Sequence, residues 1–272
     1  MNKIPTCIMK RRLWHMQIRN RIKMFEKRVD FMEGLNAYIS PVDPGWRGRL
    51  IPPESEKLEE LQMYLEMQKE NPKVPESYLK FACYAAEGDG GLLSDVLLGE
   101  FCLARLPEII RDQNNNELFV DELNCFWNEM DVMYFIDKKN DDKISCEGGF
   151  YVSSSFENLL FQCAVQKYEE KYFLKYLGFD YEGWLSFDQK KDVDIVLKEF
   201  IQRNQMQTVW FNDEYFLFAY NQEYSFWITQ TEYQKGEVAV SGVFYGNDID
   251  KIQRELLPQI GAVAIYRRGR ST

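Results

Sequence analysis

Glu87-Gly88-Asp89-Gly90-Gly91 packs three glycines and two acids into five residues. A loop of that composition can cradle a phosphate on its backbone N–H groups, hold a metal on its carboxylates, or simply turn the chain. The phosphate reading fails. Neither the Lys-Ser/Thr of a phosphate loop nor the dinucleotide pattern is present, and Glu87 and Asp89 would repel an anion. Gly88, Gly90 and Gly91 read instead as positive backbone angles where a helix passes sharply into a strand. The run from Asp137 to Lys143, DKKNDDK, also offers oxygens, but it lacks the central glycine and closing glutamate of a calcium loop and reads as a hairpin turn.

The other reactive residues narrow the choice further. His15 is the one histidine, and most hydrolytic triads and imidazole metal sites need one in position. Six cysteines (7, 83, 102, 125, 146 and 163) lie far apart without zinc spacing and read as reduced, mostly buried side chains. Neighbouring acids such as Asp121 with Glu122, or Glu129 with Asp131, are the remaining candidates for acid–base work. In a chain with 43 acidic residues such neighbours arise by chance. No catalytic residue, cofactor or metal is therefore assigned, and the chain reads as a protein that binds and is not an enzyme.

Charge suggests what it binds. Residues 1–30 carry nine Lys and Arg against Glu26 and Asp30, and Arg267, Arg268 and Arg270 follow at the far end, so the net charge of -10 hides a strongly acidic body. Between residues 87 and 131, eleven acids face only Arg105 and Arg111. Such a surface repels nucleic acid and favours cationic partners, or serves solubility alone. No secretory signal and no membrane-length apolar run is present, which points to a cytoplasmic protein without a membrane partner.

These residues need elements to position them. Trp14, Ile18, Ile22, Phe25, Val29 and Met32 share one stripe of a basic amphipathic helix that ends at Gly34. Residues 40–55 form a Pro/Gly-rich connector. Ser55 caps a helix bearing Leu58, Leu61 and Leu65, and a second helix starts at Pro75 and turns Tyr78, Leu79 and Phe81 inward. Alternating runs at 92–104, 131–137 and 149–153 predict strands, the last two joined by a polar turn. Ser155 caps the next helix. Beyond Gly178 the pattern restarts with a helix over 187–203, strand runs TVWF, YFLFAY, SFWITQ and VAVSGVFY, a helix over 248–257 and a strand over 262–266. The fold class is α+β, a mainly antiparallel curved sheet flanked by helices. It divides into an N-terminal helix over 1–39, a domain over 40–177, and a C-terminal α+β unit over 178–272 that either stands alone or widens the same sheet.

Part of this pattern resembles a known family. Ile51-Pro52-Pro53-Glu54-Ser55 before a leucine-rich helix, then Val74-Pro75-Glu76-Ser77-Tyr78-Leu79-Lys80-Phe81, Gly88-Asp89-Gly90-Gly91, and Tyr151 through Leu160 together resemble the SUKH superfamily, over about residues 46–168. That superfamily includes bacterial toxin-immunity proteins and fungal regulators of cell-wall assembly. The resemblance implies helices packed on a curved antiparallel sheet and a role in binding another protein, and it carries over no catalytic residue.

The expected function is therefore a bacterial immunity protein. Its acidic face, including Asp89, Asp95, Glu100, Asp121, Glu122, Glu129 and Asp131, would neutralise a cationic protein toxin, such as a nuclease. The alternative is a regulatory or scaffold module with no toxin partner. It would use some of the nine aromatics between residues 208 and 227 as an interface.

Overall fold

The computed structural model describes residues 21–67, 75–97, 117–125, 130–137, 139–146, 149–173, 175–181, 185–233, 236–246 and 249–269. The architecture is α+β. Helices α1 (Arg21–Met24) and α2 (Phe31–Ile39) lead through a 3-10 turn (Trp46–Arg49) into β1 (Leu50–Ile51), α3 (Ser55–Met67), α4 (Glu76–Ala85), β2 (Gly88–Asp89) and α5 (Ser94–Leu97). Strands β3 (Glu117–Cys125), β4 (Met130–Asp137), β5 (Lys143–Cys146) and β6 (Phe150–Ser153) precede α6 (Phe156–Tyr168). The C-terminal part holds β7 (Lys175–Asp180), β8 (Leu185–Ser186), α7 (Phe187–Arg203), β9 (Gln207–Thr208), β10 (Phe216–Tyr220), β11 (Tyr224–Tyr233), β12 (Glu237–Gly246), α8 (Ile249–Glu255), α9 (Leu257–Ile260) and β13 (Val263–Gly269).

One antiparallel sheet runs β13-β7-β12-β11-β6-β5-β4-β3, while β1 pairs with β2 separately. Its branch point is β11. One edge of β11 pairs along its length with β12, and the other is shared between β10, at Ser225 to Thr229, and β6, at Glu232 opposite Tyr151. Residues 177 and 178, between which the sequence pattern restarts, are neighbours in β7, and β7 lies between β12 and β13.

Alternation along these strands builds two cores. Phe216, Phe218, Tyr220, Val243 and Tyr245 face α1, α2, α4 and α6, whereas Phe226, Ile228, Val238, Val240 and Phe244 face α7, α8 and α9. The sheet is the middle of three layers. This accounts for the aromatic density of residues 208–227: Phe211, Tyr215, Phe216, Phe218, Tyr220, Tyr224 and Phe226 are buried within the molecule, on one face or the other.

Several local expectations hold to the residue. Ser155 accepts a hydrogen bond from Asn158 N at 3.1 Å and caps α6, and the helix expected over 187–203 is α7, which starts with a capping box of Ser186 and Gln189 that was not foreseen. Others are corrected. The stripe to Met32 is not one helix: α1 stops at Met24, Val29 is fully exposed, and Asp30 caps a new helix by accepting from Met32 N at 2.9 Å. Gly34 does not end a helix; it lies inside α2, where a Cβ would come within 2.9 Å of Phe161, so it permits close approach of α2 and α6. Trp14 and Ile18 lie outside the described residues.

Ser55 is the first residue of α3, whose first-turn bond runs from Leu58 N to Glu54 O. Residues 94–97 are helical, so the strand expected over 92–104 is absent there; residues 98–104 lie outside the described residues. The polar turn after β4 contains a further strand, β5, that pairs with both β4 and β6. In TVWF only Thr208 joins a strand; Trp210 and Phe211 lie in a turn.

Candidate functional site

The glycine-rich loop is built around Asp89. Its Oδ1 accepts from Gly91 N and Ser94 Oγ, each at 2.8 Å, and its Oδ2 accepts from Leu93 N at 2.6 Å and Ser94 N at 2.8 Å. At 4% exposure it is a buried carboxylate that satisfies three backbone N–H groups. The predicted partner contact at Asp89 is therefore corrected, because its oxygens are occupied inside the fold.

Gly90 and Gly91 adopt φ of 64° and 81°, as the turn reading requires, whereas Gly88 lies in β2 without a positive φ. A Cβ on Gly90 would meet Trp46 at 3.0 Å, so the indole packs directly on the turn. Lys167 reaches across from α6 to donate to Gly91 O at 2.7 Å and to pair with Asp95 at 2.8 Å. The loop, β1 and α6 thus meet at one point, although up to 117 residues of sequence separate Leu50 from Lys167.

The other predicted acids are distributed as follows. Asp95 keeps 64% of its side chain exposed despite the pair with Lys167. Asp121 and Glu122 lie on β3 opposite Tyr134 and Met133, and Asp131 lies on β4 opposite Asn124. Glu100 and Glu129 lie outside the described residues.

Three other polar groups join parts of the chain far apart in sequence, and none of these contacts is visible in the sequence. Glu169 is buried and accepts from Tyr38 Oη at 2.8 Å and from Ser225 Oγ, tying α2 to β11 through the turn after α6. Asp213 accepts from Ser154 N, Gln162 Nε2 and Tyr215 N, each at 2.9 Å, and fastens the loop before β10 to the start of α6. Lys143 pairs with Glu214 at 2.6 Å, and its ammonium lies 5.5 Å from the ring centres of both Tyr151 and Tyr215, which stand beside one another. The bond from Lys143 holds the Glu214 carboxyl below its ordinary value, and the same bond raises Lys143. Only chain separation marks these groups as special, and sequence order does not display it: Asp213 and Ser154 are 59 positions apart.

Arg49 donates to both oxygens of Asp43, at 3.1 and 2.6 Å, which lowers the Asp43 carboxyl. A small hollow between α7 and α8, bordered by Phe200, Arg203, Lys251 and Glu255, holds a single acid, short of the two converging carboxylates of a hydrolytic pair. Burial pushes the Cys83 and Cys163 thiols up, away from nucleophilic thiolates. Among the described residues no cluster of three His, Cys, Asp or Glu could hold a metal, and no helix is long and apolar enough to cross a membrane.

Comparison with protein-family models, curated proteins and solved structures returns no match.

Proposed function

We propose that this chain is a non-enzymatic protein-binding protein of the SUKH type, an immunity protein that neutralises a cationic toxin inside the cell. The observation that carries the reading is the assembly around Asp89. The segments behind the family resemblance, Ile51 to Ser55, Pro75 to Phe81, Gly88 to Gly91 and Tyr151 to Leu160, belong to one unit: β1 pairs with β2, α4 packs on α6, and Lys167 at the end of α6 clasps the glycine turn. The fold class agrees with the one the resemblance implies. A binding role is further supported by how three carboxylates are used: buried Asp89 and Glu169 and part-buried Asp213 hold amides and hydroxyls of their own chain. Of the predicted acids, Asp95 is open to a partner, while Asp121, Glu122 and Asp131 are placed only by their strand positions on β3 and β4. Burial of most aromatics of residues 208–227 disfavours the scaffold alternative that relied on them.

The test is co-expression with the product of the adjacent gene, followed by size-exclusion chromatography of the two purified proteins. Rescue of growth and co-elution are expected. Toxicity without rescue, and separate elution, overturn the proposal.

A further inference from the structure

We propose that the outer face of α3 and α4, centred on Ile51 and Tyr84, is where a basic protein partner seats an apolar side chain. The inference rests on the protein-binding reading above and locates its contact.

Ile51, Met63 and Tyr84 are large apolar residues left 53%, 52% and 39% exposed, all on the segment from β1 to α4. Ile51 and Tyr84 are brought near one another by the β1–β2 pair. Glu87 N donates to Ile51 O at 3.0 Å, Tyr84 lies just before it at the end of α4, and Gly88 leaves room for Ile51, since a Cβ there would stand 3.0 Å from Ile51 Cδ1. Lys57 of α3 reaches Glu87 at 3.4 Å, so the first turn of α3 borders the same patch.

The border is acidic. Glu54, Glu56 and Glu59 are exposed and form no ion pair among the described residues, while the two bases at the border are each matched by an acid, Lys57 by Glu87 and Lys80, one turn before Tyr84, by Glu76, so the balance is negative. An apolar centre inside a charged rim is the usual anatomy of a protein contact surface. The sign of the rim chooses the occupant: a second copy would bring like charges together, while a basic surface gains attraction and faster encounter. Neither Ile51 nor Tyr84 supports the fold from inside, unlike Tyr78, Leu79 and Phe81 on the opposite side of α4.

The experiment measures binding of the purified adjacent-gene product to the full chain by surface plasmon resonance. Tyr84→Arg should weaken binding about 30-fold, as loss of a central aromatic anchor does. The triple change Glu54→Lys, Glu56→Lys and Glu59→Lys should slow association about tenfold and flatten its salt dependence. Asp188→Lys, on the exposed start of α7 in the opposite helical layer, should bind as the wild type does. Circular dichroism confirms that each variant is folded, and the exposed triple variant decides the matter if Tyr84→Arg is not. Wild-type binding that survives both changes overturns this contact and leaves the protein-binding reading standing. An equal loss with Asp188→Lys also overturns it, because overall charge would then suffice. No binding by the wild type removes both.

Discussion

Two acidic turns in this chain look alike in sequence and differ in the fold. Asp89 sits in the turn that follows α4, and Asp137 opens the hairpin between β4 and β5. Each carboxylate gathers nearby donors: Asp137 accepts from Lys139 N at 3.0 Å, Asn140 Nδ2 at 2.6 Å and Tyr151 Oη at 2.8 Å. The first turn is walled by Trp46 and Lys167, whereas the tip of the second, at Lys139 to Asp141, lies in solvent. The same local chemistry therefore carries different weight, because water can replace a lost acceptor only where it can reach.

Removing each acid tests that contrast most directly. Asp89→Ala should cost about 3 kcal/mol in urea denaturation, since buried N–H groups lose their acceptor, while Asp137→Ala should cost about 1 kcal/mol. Equal losses would break the comparison. The glycine positions sharpen it with opposite signs. Gly91→Ala should destabilise by about 2 kcal/mol, because φ is 81° and a Cβ would meet Lys167 Nζ at 2.5 Å and Asp95 Oδ2 at 2.8 Å. At the exposed turn, Asp141 already holds φ of 57° without being glycine, so Asp141→Gly should stabilise by about 0.5 kcal/mol on thermal unfolding.

The smallest expected effect concerns pH beside the second turn. Glu214 has its folded value lowered from the ordinary 4.5 by the bond from Lys143, so the pair's contribution is present above 4.5 and fades as pH falls through the lower folded value. The difference in melting temperature between wild type and Glu214→Gln should therefore be visible near neutral pH and vanish in acid. A difference that persists at low pH would assign it to packing.

Signals confined to a few neighbouring residues were legible in the sequence. The cap at Ser155, the helix over 187–203 and the runs that became β10, β11 and β12 all express a period or a cap that needs no distant partner. Elements shaped by remote contacts were not. β5 is four residues long, with only Ile144 fully buried, and its flanking charges hid it inside a turn. Gly178 resembled a boundary, yet it is a buried position in β7 between β12 and β13. Gly34 resembled a helix stop because the ring of Phe161, which requires it, arrives from 127 residues away. The candidate acids were gathered by density along the chain, and density does not report exposure: Asp89 and Asp95 are six positions apart, one enclosed by amides and the other open to water.

The shared edge of β11 has a mechanical consequence. Slipping this strand by one residue would turn Phe226 and Ile228 out of their core and, in the same movement, misalign Glu232 from Tyr151 and Ser225 from Glu169. Both halves of the molecule penalise the error together. The alignment of the C-terminal hairpins is therefore proofread by the N-terminal part of the chain, and misthreaded forms have no partial refuge.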